Sequence, residues 1–85
     1  MDISNCKYYS SISINTLFEK CLNIETIVLS NNIQITDENI EILLYYCKNI
    51  HSIYIHNCSS LTDICINSLL LYIHQLKAIH IGGRS

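Results

Sequence analysis

Residues 24–40, IETIVLSNNIQITDENI, and residues 50–66, IHSIYIHNCSSLTDICI, carry one pattern twice at an offset of 26 positions. That offset sets Cys21 on Cys47, Ile24 on Ile50, Ile27 on Ile53 and Leu29 on Ile55. It continues without a gap through Ile35 and Leu61, Thr36 and Thr62, Asp37 and Asp63, Ile40 and Ile66, Leu43 and Leu69, and Leu44 and Leu70. A further step carries Ile50 to Leu76, Ile53 to Ile79 and Ile55 to Ile81. Stepping back carries Leu29 to Ile3, Asn32 to Cys6, Ile40 to Ile14 and Leu43 to Leu17. A fixed period of this length marks stacked supersecondary units, each too small to bury its own apolar side.

Two periodicities share each unit. Ile24, Ile27 and Leu29, and then Ile50, Ile53 and Ile55, alternate as strand residues do, with β-branched side chains at the buried places. The spacing of Ile40, Leu43, Leu44 and Cys47 is helical, as is that of Ile66, Leu69, Leu70 and Ile73. Asp37 and Asp63 stand just before these runs, where a carboxylate accepts from free amides of the first turn and suits the helix dipole; both are read as helix caps. The pattern predicts strands near 1–4, 25–30, 51–56 and 77–82, and helices near 13–21, 38–48 and 64–74. The expected fold class is α/β: a short solenoid with a parallel sheet on its concave face and helices on its convex face. One domain over residues 1–85 is expected, with a partial unit at 1–23, full units at 24–49 and 50–75, and a partial unit at 76–85.

These residues resemble the cysteine-containing leucine-rich repeats familiar from F-box proteins, with no F-box ahead of them. The family pattern, L-x-x-L-x-L-x-x-C-x-x-I-T-D-x-x-L followed by a helix ending in cysteine, is matched by both quoted stretches and by Cys21 and Cys47. Asn32 stands at one of the cysteine positions, a replacement that the wider repeat family allows. The resemblance implies that the column Cys6, Asn32, Cys58 points inward and bonds backbone groups of neighbouring turns. It also implies that the concave strand face is the interaction surface. A substrate-recognition element of a ubiquitin-ligase-type adaptor is the use that the family suggests.

Composition narrows the remaining choices. The 85 residues are 49% hydrophobic and 14% charged with a net charge of −2, which describes a folding chain near the lower size limit of a self-sufficient core. No basic stripe is present to neutralise phosphates, so nucleic acid is not an expected partner. The longest apolar run, residues 69–73, is far too short to cross a bilayer, and the first residues lack the apolar core of a signal peptide; no membrane association is expected. A cytoplasmic chain follows, with a nuclear location equally compatible. In that compartment the five cysteines are expected as reduced thiols and the Asn57-Cys58-Ser59 sequon as unused.

HNCSSLTD, residues 56–63, gathers the residue types of a reactive site. His56 and Cys58 are good zinc ligands by chemistry, but at the end of a strand they point to opposite sides and no further ligand pair accompanies them. Cys47 and His51 are four apart, yet residue 51 falls beyond the helix and no third group orients the pair. The only glycines, Gly82 and Gly83, build no phosphate loop. Neither a catalytic residue, nor a metal site, nor a cofactor is expected. Cys65 is the thiol that the repeat accounts for least.

The outward strand positions remain: Thr26, Val28 and Ser30, then Ser52, Tyr54 and His56, then Ala78, His80 and Gly82. Strands about 4.8 Å apart set Val28, Tyr54 and His80 in one row. Val28, Ser30, Ser52, Tyr54, His56 and His80 are the expected contacts for a protein partner, with tyrosine as a good interface anchor. The diagonal His56–His80 pair adds an expectation of pH-sensitive affinity. The alternative is a purely structural segment stacking end to end, or forming a homo-oligomer, through its open ends.

Overall fold

The computed structural model describes residues 1–4, 9–72 and 74–80. Three helices alternate with three short strands: α1 (Ser11–Lys20), β1 (Thr26–Val28), α2 (Asp37–Tyr46), β2 (Ser52–Tyr54), α3 (Asp63–Leu71) and β3 (Ala78–His80). The strands form a parallel sheet in the order β1-β2-β3, and each crossover is a helix, as parallel pairing requires. The fold is a small α/β domain.

The sheet register keeps the 26-residue offset. Thr26, Ser52 and Ala78 stand side by side, followed by Ile27, Ile53 and Ile79, then Val28, Tyr54 and His80. Ile27 and Ile53 are fully buried against the helices, where Ile14, Phe18, Ile40, Leu43 and Leu44 complete the core. Burying each such side chain contributes about 1.5–3 kcal/mol. Ile35 and Leu61 turn into the same core from the strand-to-helix connections.

The expected strand near 1–4 is a single parallel bridge, Asp2 to Val28. The first residues still run along the edge of β1: Val28 N donates to Met1 O at 2.8 Å and Ile3 N to Val28 O at 2.9 Å. β1 and β2 are shorter than expected, and beyond their ends Asn31 and Asn57 take positive φ of 62° and 56° and turn the chain. Asparagine tolerates this left-handed conformation better than most residues. Cys6, Ile73, Ile81 and Gly82, with the end of the strand expected at 77–82, lie outside the described residues.

Helix starts correct one expectation. The N-caps are Thr36 and Thr62, and Asp37 and Asp63 are the first helical residues. Thr36 forms a capping box with Asn39: its hydroxyl accepts from Asn39 N at 3.4 Å, and Asn39 Oδ1 accepts from Thr36 N at 2.8 Å. The two aspartates keep their favourable place in the first turn, where negative charge meets the positive end of the helix. Asp37 does more, since its carboxylate accepts from Thr62 N at 2.9 Å and from Thr62 Oγ1 at 2.5 Å. It thereby ties the start of α2 to the start of α3.

A second correction concerns α3. Leu44 is fully buried, whereas Leu70, its counterpart 26 positions on, is 57% exposed. The helix that carries Leu44, α2, packs against both α1 and α3, and among the described residues no helix flanks α3 on its far side. Ile79 is likewise only partly buried where Ile27 and Ile53 are sealed.

Candidate functional site

Alternation along the strands sends Ile27, Ile53 and Ile79 toward the helices and their neighbours to the opposite face of the sheet. Thr26, Val28, Ser52, Tyr54, Ala78 and His80 are all partly exposed there. The Tyr54 ring lies flat on the His80 imidazole, with centroids 4.1 Å apart and planes 1° from parallel. His56 follows obliquely, its ring 6.5 Å from that of His80 and inclined by 24°. Tyr54, His80 and His56 thus form one contiguous aromatic surface, with Val28 beside Tyr54 in the register.

Hydrogen bonds hold this surface from below. His56 N donates to Ser30 Oγ at 3.2 Å, and Asn31 N donates to His56 O at 2.8 Å. Asn57 Nδ2 donates to Asn31 Oδ1 at 2.9 Å, joining the two left-handed turns. Ser30 is therefore buried and engaged with the backbone, not a free contact on the face as its alternation suggested. At the opposite strand ends, His51 Nε2 meets Glu25 Oε1 at 3.3 Å.

The inward column serves the backbone. Asn32 Nδ2 donates to Ile3 O and Leu29 O, both at 2.8 Å. Cys58 Sγ donates to Leu29 O at 3.1 Å. Ile3 and Leu29 are themselves 26 apart, so amide and thiol reach equivalent carbonyls on the preceding turn. Cys47, the C-cap of α2, donates through Sγ to Phe18 O at 3.5 Å and Cys21 O at 3.4 Å.

Burial pushes the Cys47 and Cys58 thiols above their ordinary value; Cys21 adds to this at Cys47, while the amides of Asn32 and Asn31 partly oppose it at Cys58. A thiol held protonated is a poor nucleophile and a good S–H donor. Among the described residues, no three His, Cys, Asp or Glu side chains converge as metal ligands, and no helix is long and apolar enough to cross a membrane.

Two features escaped the sequence pattern. Asn39 is fully buried in a helix face that reads as apolar, and its amide donates to Ser11 O at 2.9 Å and Asn15 Oδ1 at 2.6 Å. Cys65 occupies the same station in α3, also fully buried, which accounts for the least explained thiol. The second is a groove of about 490 Å³ on the helical side, lined by Glu19, Glu41, Tyr45, Tyr46, Leu71 and Tyr72 among others. Its residues recur on no single apolar stripe, so periodicity reads them as a solvated outer face.

No family model matches the chain, and a search of curated proteins finds no match.

Proposed function

We propose that this chain is a leucine-rich-repeat segment of the cysteine-containing type, a short solenoid whose concave strand face binds a protein partner. The observation that carries the reading is the Tyr54–His80 stack at 4.1 Å with His56 beside it. Aromatic side chains already fixed in place lose little freedom on binding, and large flat surfaces of this kind anchor interfaces. The repeat reading draws support from equivalent hydrogen bonds one period apart, Asn32 to Ile3 and Cys58 to Leu29. By the family resemblance, the partner is a substrate presented to a ubiquitin-ligase-type adaptor.

Affinity capture with the intact chain, repeated with the Tyr54→Ala/His56→Ala variant, tests this. Loss of the captured partner with an unchanged circular dichroism spectrum is expected, and equal capture by the variant sinks the reading. Affinity that differs between about pH 5.5 and about pH 7.5 is the expected signature of the paired histidines.

A second reading, a structural segment that stacks on a copy of itself, is favoured by Leu70 at 57% exposure and by the partly open Ile79. Sedimentation separates the two: stacking predicts mass that rises with concentration and falls on Leu70→Glu.

A further inference from the structure

We infer that the groove on the helical side is a binding site for a small organic ammonium ion. All three helices contribute to the groove: Glu19 from α1, Glu41, Tyr45 and Tyr46 from the middle and end of α2, and Leu71 and Tyr72 from the end of α3 and its C-cap. Two carboxylates, Glu19 and Glu41, line it, and they outnumber the single ammonium of Lys48 that lies over its Tyr45 and Tyr72 rings. The site is negative at neutral pH and has apolar walls.

Its aromatic geometry suits a cation as well. Tyr45 and Tyr46 meet edge to face, centroids 5.0 Å apart and planes at 82°, which gives two walls at nearly a right angle. Tyr45 is 62% exposed, so its ring is reachable from solvent. Ring faces attract cations within about 6 Å, and quaternary ammonium groups above all. The protein already displays that attraction at the rim, because Lys48 Nζ lies 5.1 Å from the Tyr45 centroid and 5.8 Å from that of Tyr72. The volume, about 490 Å³, lies in the range of small-molecule sites. Lys48 is then a competitor, a positive charge on two of the rings that an incoming cation uses.

The test is an NMR titration of the whole chain with choline and with its uncharged carbon isostere, 3,3-dimethyl-1-butanol. Choline is expected to give saturable shifts confined to Tyr45, Tyr46, Leu71 and Tyr72, with the isostere about tenfold weaker or more. Glu41→Gln keeps a hydrogen-bonding side chain for Ser68 and is expected to weaken choline about threefold to tenfold. Lys48→Gln is expected to tighten choline by a similar factor, an effect that no loss of folding imitates. Tyr45→Leu, at an exposed position, is expected to abolish the preference for choline over the isostere. The inference is overturned if choline gives no saturable shift, if the isostere binds equally, if Lys48→Gln weakens choline, or if the shifts arise from concentration alone as a second copy fills the groove.

Discussion

The ring of Tyr54 rests on the imidazole of His80 with 4.1 Å between centroids and 1° between planes, although the two residues stand 26 positions apart in the chain. The contact joins β2 to β3 on the exposed face of the sheet, outside the hydrophobic core. Such pairs contribute about 0.5–1.5 kcal/mol beyond their area. Tyr54→Phe is expected to retain that stability and Tyr54→Ala to lose it, read as the midpoint of urea unfolding. Equal midpoints for the two variants would show that the stack contributes nothing.

Asp37 and Thr62 supply a second link between neighbouring units, at 2.9 Å and 2.5 Å. Hydrogen bonds to a charged group contribute about 1.5–3 kcal/mol when well formed, and a partly exposed pair lies at or below the lower end. A double-mutant cycle with Asp37→Ala and Thr62→Val is expected to give a coupling of about 0.5–1.5 kcal/mol. Additive effects of the two substitutions would remove the link.

Cys47 and Cys58 set a pH dependence. Burial raises both thiols above 9.0, so their contribution is fully present below the unfolded value and is lost as pH rises through it toward the folded value. Between about pH 8 and about pH 10 the unfolded chain ionises first, and stability falls. The Cys47→Ser/Cys58→Ser variant is expected to show a shallower fall over that window in urea titrations. An identical slope rules out the thiols as its source.

Ile53, central in the sheet and fully buried, carries the core. Truncation to alanine is expected to cost about 2–5 kcal/mol, a large share of what a chain of this size holds. Thermal melting checks it, and a loss below about 1 kcal/mol would mean that the site collapses around the smaller side chain.

The parallel strands and their helices were legible because Ile27 and Ile53 alternate at a period of two while Ile40, Leu43 and Leu44 recur at a helical one. The cap was misread by one residue: threonine and aspartate adjoin in both units, and both accept from backbone amides. Ser30 keeps the alternation of an outward residue, yet its hydroxyl is drawn to the amide of His56, a partner that only folding brings close. The same holds for Asn39, whose partners Ser11 and Asn15 sit a full unit away. Leu70 carries the pattern of Leu44 but not its burial, since burial depends on a flanking helix that no local spacing encodes.

The decline of burial from Ile27 and Ile53 to Ile79 fixes an order of local opening. The β3 edge, with few sealed side chains to expose, separates from β2 at a lower free energy than β2 separates from β1. Amide exchange reads this directly at two equivalent bonds, Leu29 N to Tyr54 O at 2.8 Å and Ile55 N to His80 O at 2.9 Å. Near-identical geometry predicts equal lifetimes if the sheet opens as one body. Protection that lasts longer at Leu29 than at Ile55 marks a molecule that unzips from its β3 side, one strand at a time.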